Sequence, residues 1–108
     1  MEGKDKAQIQ AVALLVASAV GDLEQVEALV PLCGAECLEG PPGAPVTPLM
    51  AAAAGGHDAV VEALLRRGAD ASRRDPRGHS AAWFARAAGH PHLAERLDTV
   101  VDQEKRIW

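Results

Sequence analysis

The sequence predicts an all-α fold built from stacked helix-turn-helix units. Alanine occupies 22 of the 108 positions and leucine 11, whereas the aromatic residues are only Trp83, Phe84 and Trp108. Strands draw on Val, Ile, Thr, Tyr and Phe, and this chain has two Ile, two Thr and no Tyr. Shifts of 33 and 35 residues align the chain with itself. One structural unit is therefore used three times, as in a solenoid.

The first unit keeps part of the repeated pattern, in Ala17, Gly21-Asp22, Val26 and Leu29-Val30. It lacks the Thr-Pro pair with which the middle unit begins, and we expect it to open the stack with a polar outer face. Its first helix is predicted over residues 11–19. Residues 11–20 also imitate the apolar part of a signal peptide, but Glu2 and Asp5 spoil the basic leader that such peptides carry.

The middle unit shows the pattern most clearly. Thr47 can cap a first helix with its hydroxyl, Pro48 suits the first helical position, and Gly55-Gly56 ends the helix. Asp58 can cap a second helix, whose apolar side chains form one stripe: Val60, Val61, Leu64 and Leu65. One unit cannot bury this stripe alone, so we expect the units to stack.

The two connections between units differ in composition. Residues 39–45 contain three prolines, which remove backbone donors, so a regular two-stranded finger should not form there. The second connection carries Asp70, Asp75 and Gly78 and should form a finger loop. Beyond Leu97 the apolar stripe continues to Ile107 without a glycine stop, which predicts a long final helix.

The middle unit reads Thr47-Pro48-Leu49-Met50-Ala51-Ala52-Ala53, then Gly56-His57, Val60-Val61, Leu64-Leu65 and Gly68-Ala69-Asp70. This run resembles an ankyrin repeat almost position for position. The resemblance implies an ankyrin-repeat solenoid with finger loops in a single domain over residues 1–108, its first and last repeats being degenerate caps. The repeats cover about 7–40, 41–74 and 75–108, and the last includes the long helix. Met50 and Trp83 replace the family histidine, so its usual hydrogen bonds should be absent.

The resemblance implies a non-catalytic protein-protein interaction module, such as an adaptor, scaffold or targeting domain, that binds through its concave groove and second finger. One alternative is a small inhibitor docking on a kinase or other enzyme, and a less favoured one is a nucleic-acid-associated factor. The family's variable, partner-contacting positions correspond to Pro76, Arg77 and His79 in the finger. On the inner helices they correspond to Ala54, Gly55, Ala87 and Ala88, and in the first repeat to Ala19 and Val20.

Arginines add a charged feature to this predicted surface. Arg66 and Arg67 lie at the end of the second repeat, Arg73, Arg74 and Arg77 lie in the following finger, and Arg86 lies on the next inner helix, with Trp83 nearby. Guanidinium groups pair bidentately with carboxylate and phosphate, which favours an acidic or phosphorylated segment, or a helix, as the partner. Alternatively the arginines form a solvated surface and pair locally with Asp70 and Asp75. Trp83 is either a binding anchor or a cover for the junction between the second and third repeats.

No catalytic, cofactor or metal site is predicted. Thr47 and Ser80 stand at helix starts, and His57 and His90 hold the same position in successive repeats, where a structural role is expected. The Cys33 and Cys37 pair lacks the second ligand pair of a closed zinc site, and so few cysteines indicate a reducing, cytoplasmic or nuclear location. No apolar run reaches membrane length, and we expect the domain to be monomeric.

Overall fold

The structure, a computed structural model, describes residues 2–33, 35–41 and 43–105. Within these ranges the chain forms one 3₁₀ helix, Ala35–Glu39, and six α-helices: α1 Glu2–Val20, α2 Leu23–Cys33, α3 Pro48–Gly55, α4 Asp58–Arg66, α5 Ala81–Ala87 and α6 Pro91–Lys105. Short turns join α1 to α2, α3 to α4 and α5 to α6. The predicted all-α stack of three helix-turn-helix units is confirmed.

The three inner helices form the spine of the stack. Helix α3 packs between α1 and α5, while α2 packs on α4 in an outer row and α6 covers α5. Where the inner helices meet, Ala52, Ala53 and Ala85 are fully buried. Leu14, Leu49, Leu64 and Leu97 supply the large buried side chains between the rows. The alanine-rich composition thus reflects a close approach between helices that larger side chains would prevent.

Helix α3 begins with a reciprocal cap. The Thr47 hydroxyl accepts a hydrogen bond from the backbone N–H of Met50 at 3.2 Å. In return the Thr47 N–H donates to the buried thioether sulfur of Met50 at 3.5 Å. We expected side-chain hydrogen bonds to be absent at residue 50, because methionine stands there in place of the family histidine. The Met50 sulfur nevertheless accepts one hydrogen bond. The predicted cap of the next helix is wrong, because α4 begins at Asp58 itself and its N-cap residue, His57, makes no side-chain capping bond.

His57 joins the first two repeats. Its Nε2 lies 3.0 Å from the carbonyl oxygen of Ala19, at the end of α1. The ring leaves no room beside Gly55, where an added Cβ would come within 2.4 Å of Nε2 and 3.2 Å of the Ala19 oxygen. The His90 ring lies in the same way against Gly56. The predicted structural role of His57 is confirmed.

The outer face of the first repeat differs from the prediction. Helix α1 begins at Glu2, well before residue 11, and exposes a row of apolar side chains: Ile9, Val12, Val16 and Val20. The polar outer face expected of an opening repeat is therefore absent from the described part of α1. The physical reason is the sequence itself, because residues 7–21 contain no charged residue. Whichever face α1 turns toward α3, the opposite face is also apolar.

The first connection is irregular, as predicted. After the 3₁₀ helix, two turns close through hydrogen bonds from Gly40 N to Cys37 O and from Ala44 N to Pro41 O. No β-bridge occurs among the described residues of this connection. Cys37 is buried and disulfide-bonded, a feature that the sequence analysis did not predict and that a reducing location does not favour. The cellular compartment therefore stays a prediction.

The last helix is long, as predicted, and runs to Lys105. Its buried side chains, Leu93, Ala94 and Leu97, belong to the core, and Val100 and Val101 pack on that core at its edge. The predicted continuation through Ile107 lies outside the described residues.

We predict that Gly55→Ala destabilises the domain by about 1–3 kcal/mol, because the new methyl group overlaps the His57 ring and displaces it from Ala19. Urea denaturation followed by circular dichroism measures the change. His57→Ala alone should cost about 1 kcal/mol through the lost hydrogen bond. In the His57→Ala background, Gly55→Ala should cost only a few tenths of a kcal/mol. Equal costs in the two backgrounds would contradict the assigned contact.

Candidate protein-binding surface

The second connection forms a finger loop, as predicted. Arg74 and Ser80 face each other in an antiparallel bridge, and the Asp75 N–H donates to the His79 carbonyl at 2.9 Å. The turn closes with a hydrogen bond from Gly78 N to Asp75 O, also at 2.9 Å. Gly78 has φ +85°, a left-handed conformation that favours glycine. The finger is thus a tight, hydrogen-bonded hairpin.

The Asp75 carboxylate organises the tip of this finger. Its Oδ1 accepts hydrogen bonds from the backbone N–H groups of His79 at 2.7 Å and Arg77 at 3.0 Å. Its Oδ2 lies 3.6 Å from Nδ1 of the His79 ring. The His79 N–H above all, and then the Arg77 N–H and the nearby positive charges, hold the pKa of Asp75 below its ordinary value of 3.8, against a smaller opposing effect of burial. The ionised carboxylate therefore stabilises the turn.

Three rings meet at the base of the finger. The His79 imidazole stacks on the Trp83 indole with ring centroids 3.7 Å apart and planes within 6° of parallel. Phe84 meets Trp83 edge to face at 5.2 Å. Trp83 nevertheless keeps 43% of its surface exposed. Trp83 therefore combines partial exposure with contacts to two neighbouring rings.

The guanidinium groups of Arg73 and Arg74 are hydrogen-bonded, but neither pairs with Asp70 or Asp75. The Arg73 guanidinium pairs with Glu39 of the first connection at 2.6 Å, and that of Arg74 donates to the Gly78 carbonyl at 2.9 Å. Asp70 instead accepts from the backbone N–H and hydroxyl of Ser72. Within the part of the chain that the structure describes, the exposed Arg77 guanidinium forms no ion pair.

Arg86 makes a different contact from the finger arginines. It extends across its own repeat to Asp98 on α6, with an N–O distance of 2.9 Å. Two other arginines, Arg66 and Arg96, both pair with Glu62, which links α4 to α6. The basic patch that the sequence predicts is therefore narrower in the structure and centres on the finger.

A cleft of about 280 Å³ separates the finger from the first connection. One wall consists of Arg73, Arg74, Asp75 and Pro76, and the other is formed by residues that the sequence analysis did not select: Glu39, Ala44, Pro45, Val46, Thr47 and Met50. The three prolines of the first connection predict only that a regular finger does not form there. No sequence signal placed this segment opposite the finger, because its position depends on how the first and second repeats stack.

The inner helices carry two further predicted positions, both with small side chains. Ala54 on α3 is half-buried and Ala87 on α5 is exposed. The predicted site residues thus fall into three places: Arg73, Arg74 and Pro76 at the cleft, Arg77, His79 and Trp83 at the finger tip and base, and Ala54, Ala87 and Arg86 on the inner helices.

Among the residues that the structure describes, no three His, Cys, Asp or Glu side chains converge as metal ligands would. None of the described helices combines the length and apolar character that crossing a membrane requires.

We predict that Asp75→Asn loosens the finger at neutral pH. The folded-state pKa of Asp75 is depressed, so its stabilisation is present above the ordinary value of 3.8 and is lost as the pH falls below it. The difference in urea stability between wild type and variant should thus be largest near pH 7 and shrink in acid. NMR shifts of the Arg77 and His79 amides should report the change locally. The control Asp58→Asn, in α4, should leave these amides unmoved.

Comparison with known proteins agrees with this architecture. The family described as ankyrin repeats, in three copies, matches residues 14–102. No curated protein matches the chain. Domains of this family generally mediate protein-protein interaction and are typically non-catalytic. With most of its length matched and its helices stacked in the corresponding order, the chain belongs to the ankyrin-repeat family.

Proposed function

We propose that this domain is an adaptor, scaffold or targeting module that binds an acidic or phosphorylated protein segment at the second finger. The observation that carries the proposal is the finger itself, in which a rigid turn presents exposed arginines on one side and a stacked, half-exposed indole at its base. Pre-organised side chains lose little conformational entropy on binding.

The Arg73–Glu39 pair supports an acidic partner. Both side chains are substantially exposed, at 45% and 64%, and such surface ion pairs contribute only about 0–1 kcal/mol. An incoming carboxylate or phosphate can therefore take the place of Glu39 at little cost, and a phosphate carries more charge than the carboxylate it displaces. Arg77, without an ion pair of its own among the described residues, offers a second guanidinium on the same loop.

The surroundings of the finger favour an extended segment at the cleft. The cleft encloses about 280 Å³ and has Pro45 and Val46 opposite the arginines, which suits a few consecutive side chains. The half-exposed Trp83 can receive an apolar residue of the same segment, because buried aromatic anchors contribute most of the affinity at many interfaces. Ala54 and Ala87 leave the neighbouring inner face smooth.

A pair of matched double variants tests this proposal. R73E/R77E reverses one ion-paired and one unpaired arginine of the finger, and R66E/R67E does the same at the end of α4. Arg74 is left intact because its guanidinium supports the turn. The finger variant should lower binding of the main partner at least about tenfold, because like charges then face an acidic segment. The α4 variant should bind as wild type does.

Quantitative affinity purification with mass spectrometry, using the chain as bait, first identifies the partner. Binding of the purified partner to each variant is then measured at several salt concentrations. Equal binding by the two double variants would contradict the proposed site. A partner that proves to be a kinase or other enzyme, inhibited on binding, would favour the inhibitor alternative instead of the adaptor.

A further inference from the structure

The exposed face of α1 is the least expected surface of the molecule. Ile9, Val12, Val16 and Val20 are 68%, 47%, 55% and 66% exposed and follow one another at helical spacings of three and four residues. Terminal repeats of a solenoid ordinarily carry a polar outer face, which keeps the stack soluble. A contiguous apolar stripe at the end of the stack therefore indicates a surface that another element covers.

The stripe does not suit another repeat of the same kind. In α3, the positions equivalent to Val12, Val16 and Val20 are Thr47, Ala51 and Gly55. At Gly55 even one added carbon would lie 3.2 Å from the carbonyl of Ala19 in the preceding repeat. Val20 occupies the position of α1 equivalent to Gly55. Its larger side chain would hold a neighbouring helix further from α1 than α3 lies from α1. The covering helix must therefore interdigitate with these side chains rather than approach backbone to backbone.

From this geometry we infer that a second copy of the chain covers the stripe, with the two α1 helices antiparallel about a two-fold axis near residue 14. The stripe is close to self-complementary about that point. Rotation sets Val12 opposite Val16 of the second copy and Ile9 opposite its Val20, so that each contact occurs twice, as an isologous interface requires. The inference is independent of the proposed function, which uses the finger.

Charge agrees with this pairing. Residues 7–21 carry no charged side chain, so two stripes can meet without like-charge repulsion. The exposed face of α6 carries several charges instead, including Glu95, Arg96 and Asp98, and its described side chains, up to residue 103, form no comparable apolar stripe.

Four side chains per copy form a small contact. A standard interface buries about 800 Å² per partner, and this stripe offers less, so we expect a weak dimer that is half formed at about 100 μM protein. This inference replaces the monomer that we expected from the sequence, because the described part of α1 exposes an apolar face.

Sedimentation equilibrium of the full chain between about 5 μM and 1 mM tests the proposal. The mass should rise toward twice 11.3 kDa. Val16→Glu should raise the dissociation constant at least about tenfold, because each glutamate meets a valine across the axis. The control Leu32→Glu removes an equally exposed apolar side chain from α2 and should leave the constant unchanged. Circular dichroism verifies that each variant is folded.

A mixing experiment tests the antiparallel register. V12K chains mixed with V16E chains should form a 1:1 dimer more tightly than either variant forms alone, since the antiparallel arrangement brings the introduced charges of opposite sign together. A wild-type chain that stays monomeric at 1 mM, or a Leu32→Glu effect equal to that of Val16→Glu, overturns the inference. No gain on mixing overturns the antiparallel register.

Discussion

The close approach of the inner helices α1, α3 and α5 is the constraint on which the rest of the structure depends. Fully buried alanines at 52, 53 and 85 allow that approach, and the outer helices can then cover the core with leucine and valine. The same spacing fixes where each connection lies. The finger and the proline-containing first connection face each other across a cleft only because α3 sits between α1 and α5 at this distance.

Polar contacts between repeats follow from that packing rather than cause it. His57 reaches Ala19 because glycine at positions 21 and 55 leaves space for the ring, and Arg96 reaches Glu62 across two outer helices. Arg73 reaches Glu39 in the same way between two connections. Each bond is exposed and individually weak, so the packing of the inner helices, and not these bonds, sets the register in which neighbouring repeats stack.

Much of the fold could be predicted from the sequence because the signals that define an ankyrin repeat act within one repeat. Thr47 and Pro48 mark a helix start, Gly56 a helix end, and Asp75 with Gly78 a tight turn, and each signal acts over a few residues. Features that depend on contacts between repeats were missed or wrong. The partners of Arg73 and Arg86, the second wall of the cleft and the apolar face of α1 all depend on how the repeats pack together. For α1 the sequence does not say which face turns inward, because residues 7–21 carry no charge on any side.

The contact between His57 and Ala19 has a consequence for how the domain opens. A carbonyl at the end of α1 is held by a ring that belongs to the second repeat, so the first repeat cannot fray without releasing that ring. Local opening of the first two repeats is thereby coupled, and amide hydrogens in both should exchange with solvent as one cooperative unit. The finger lies beyond this pair of repeats, so it can adjust to a partner without releasing the His57 ring from Ala19.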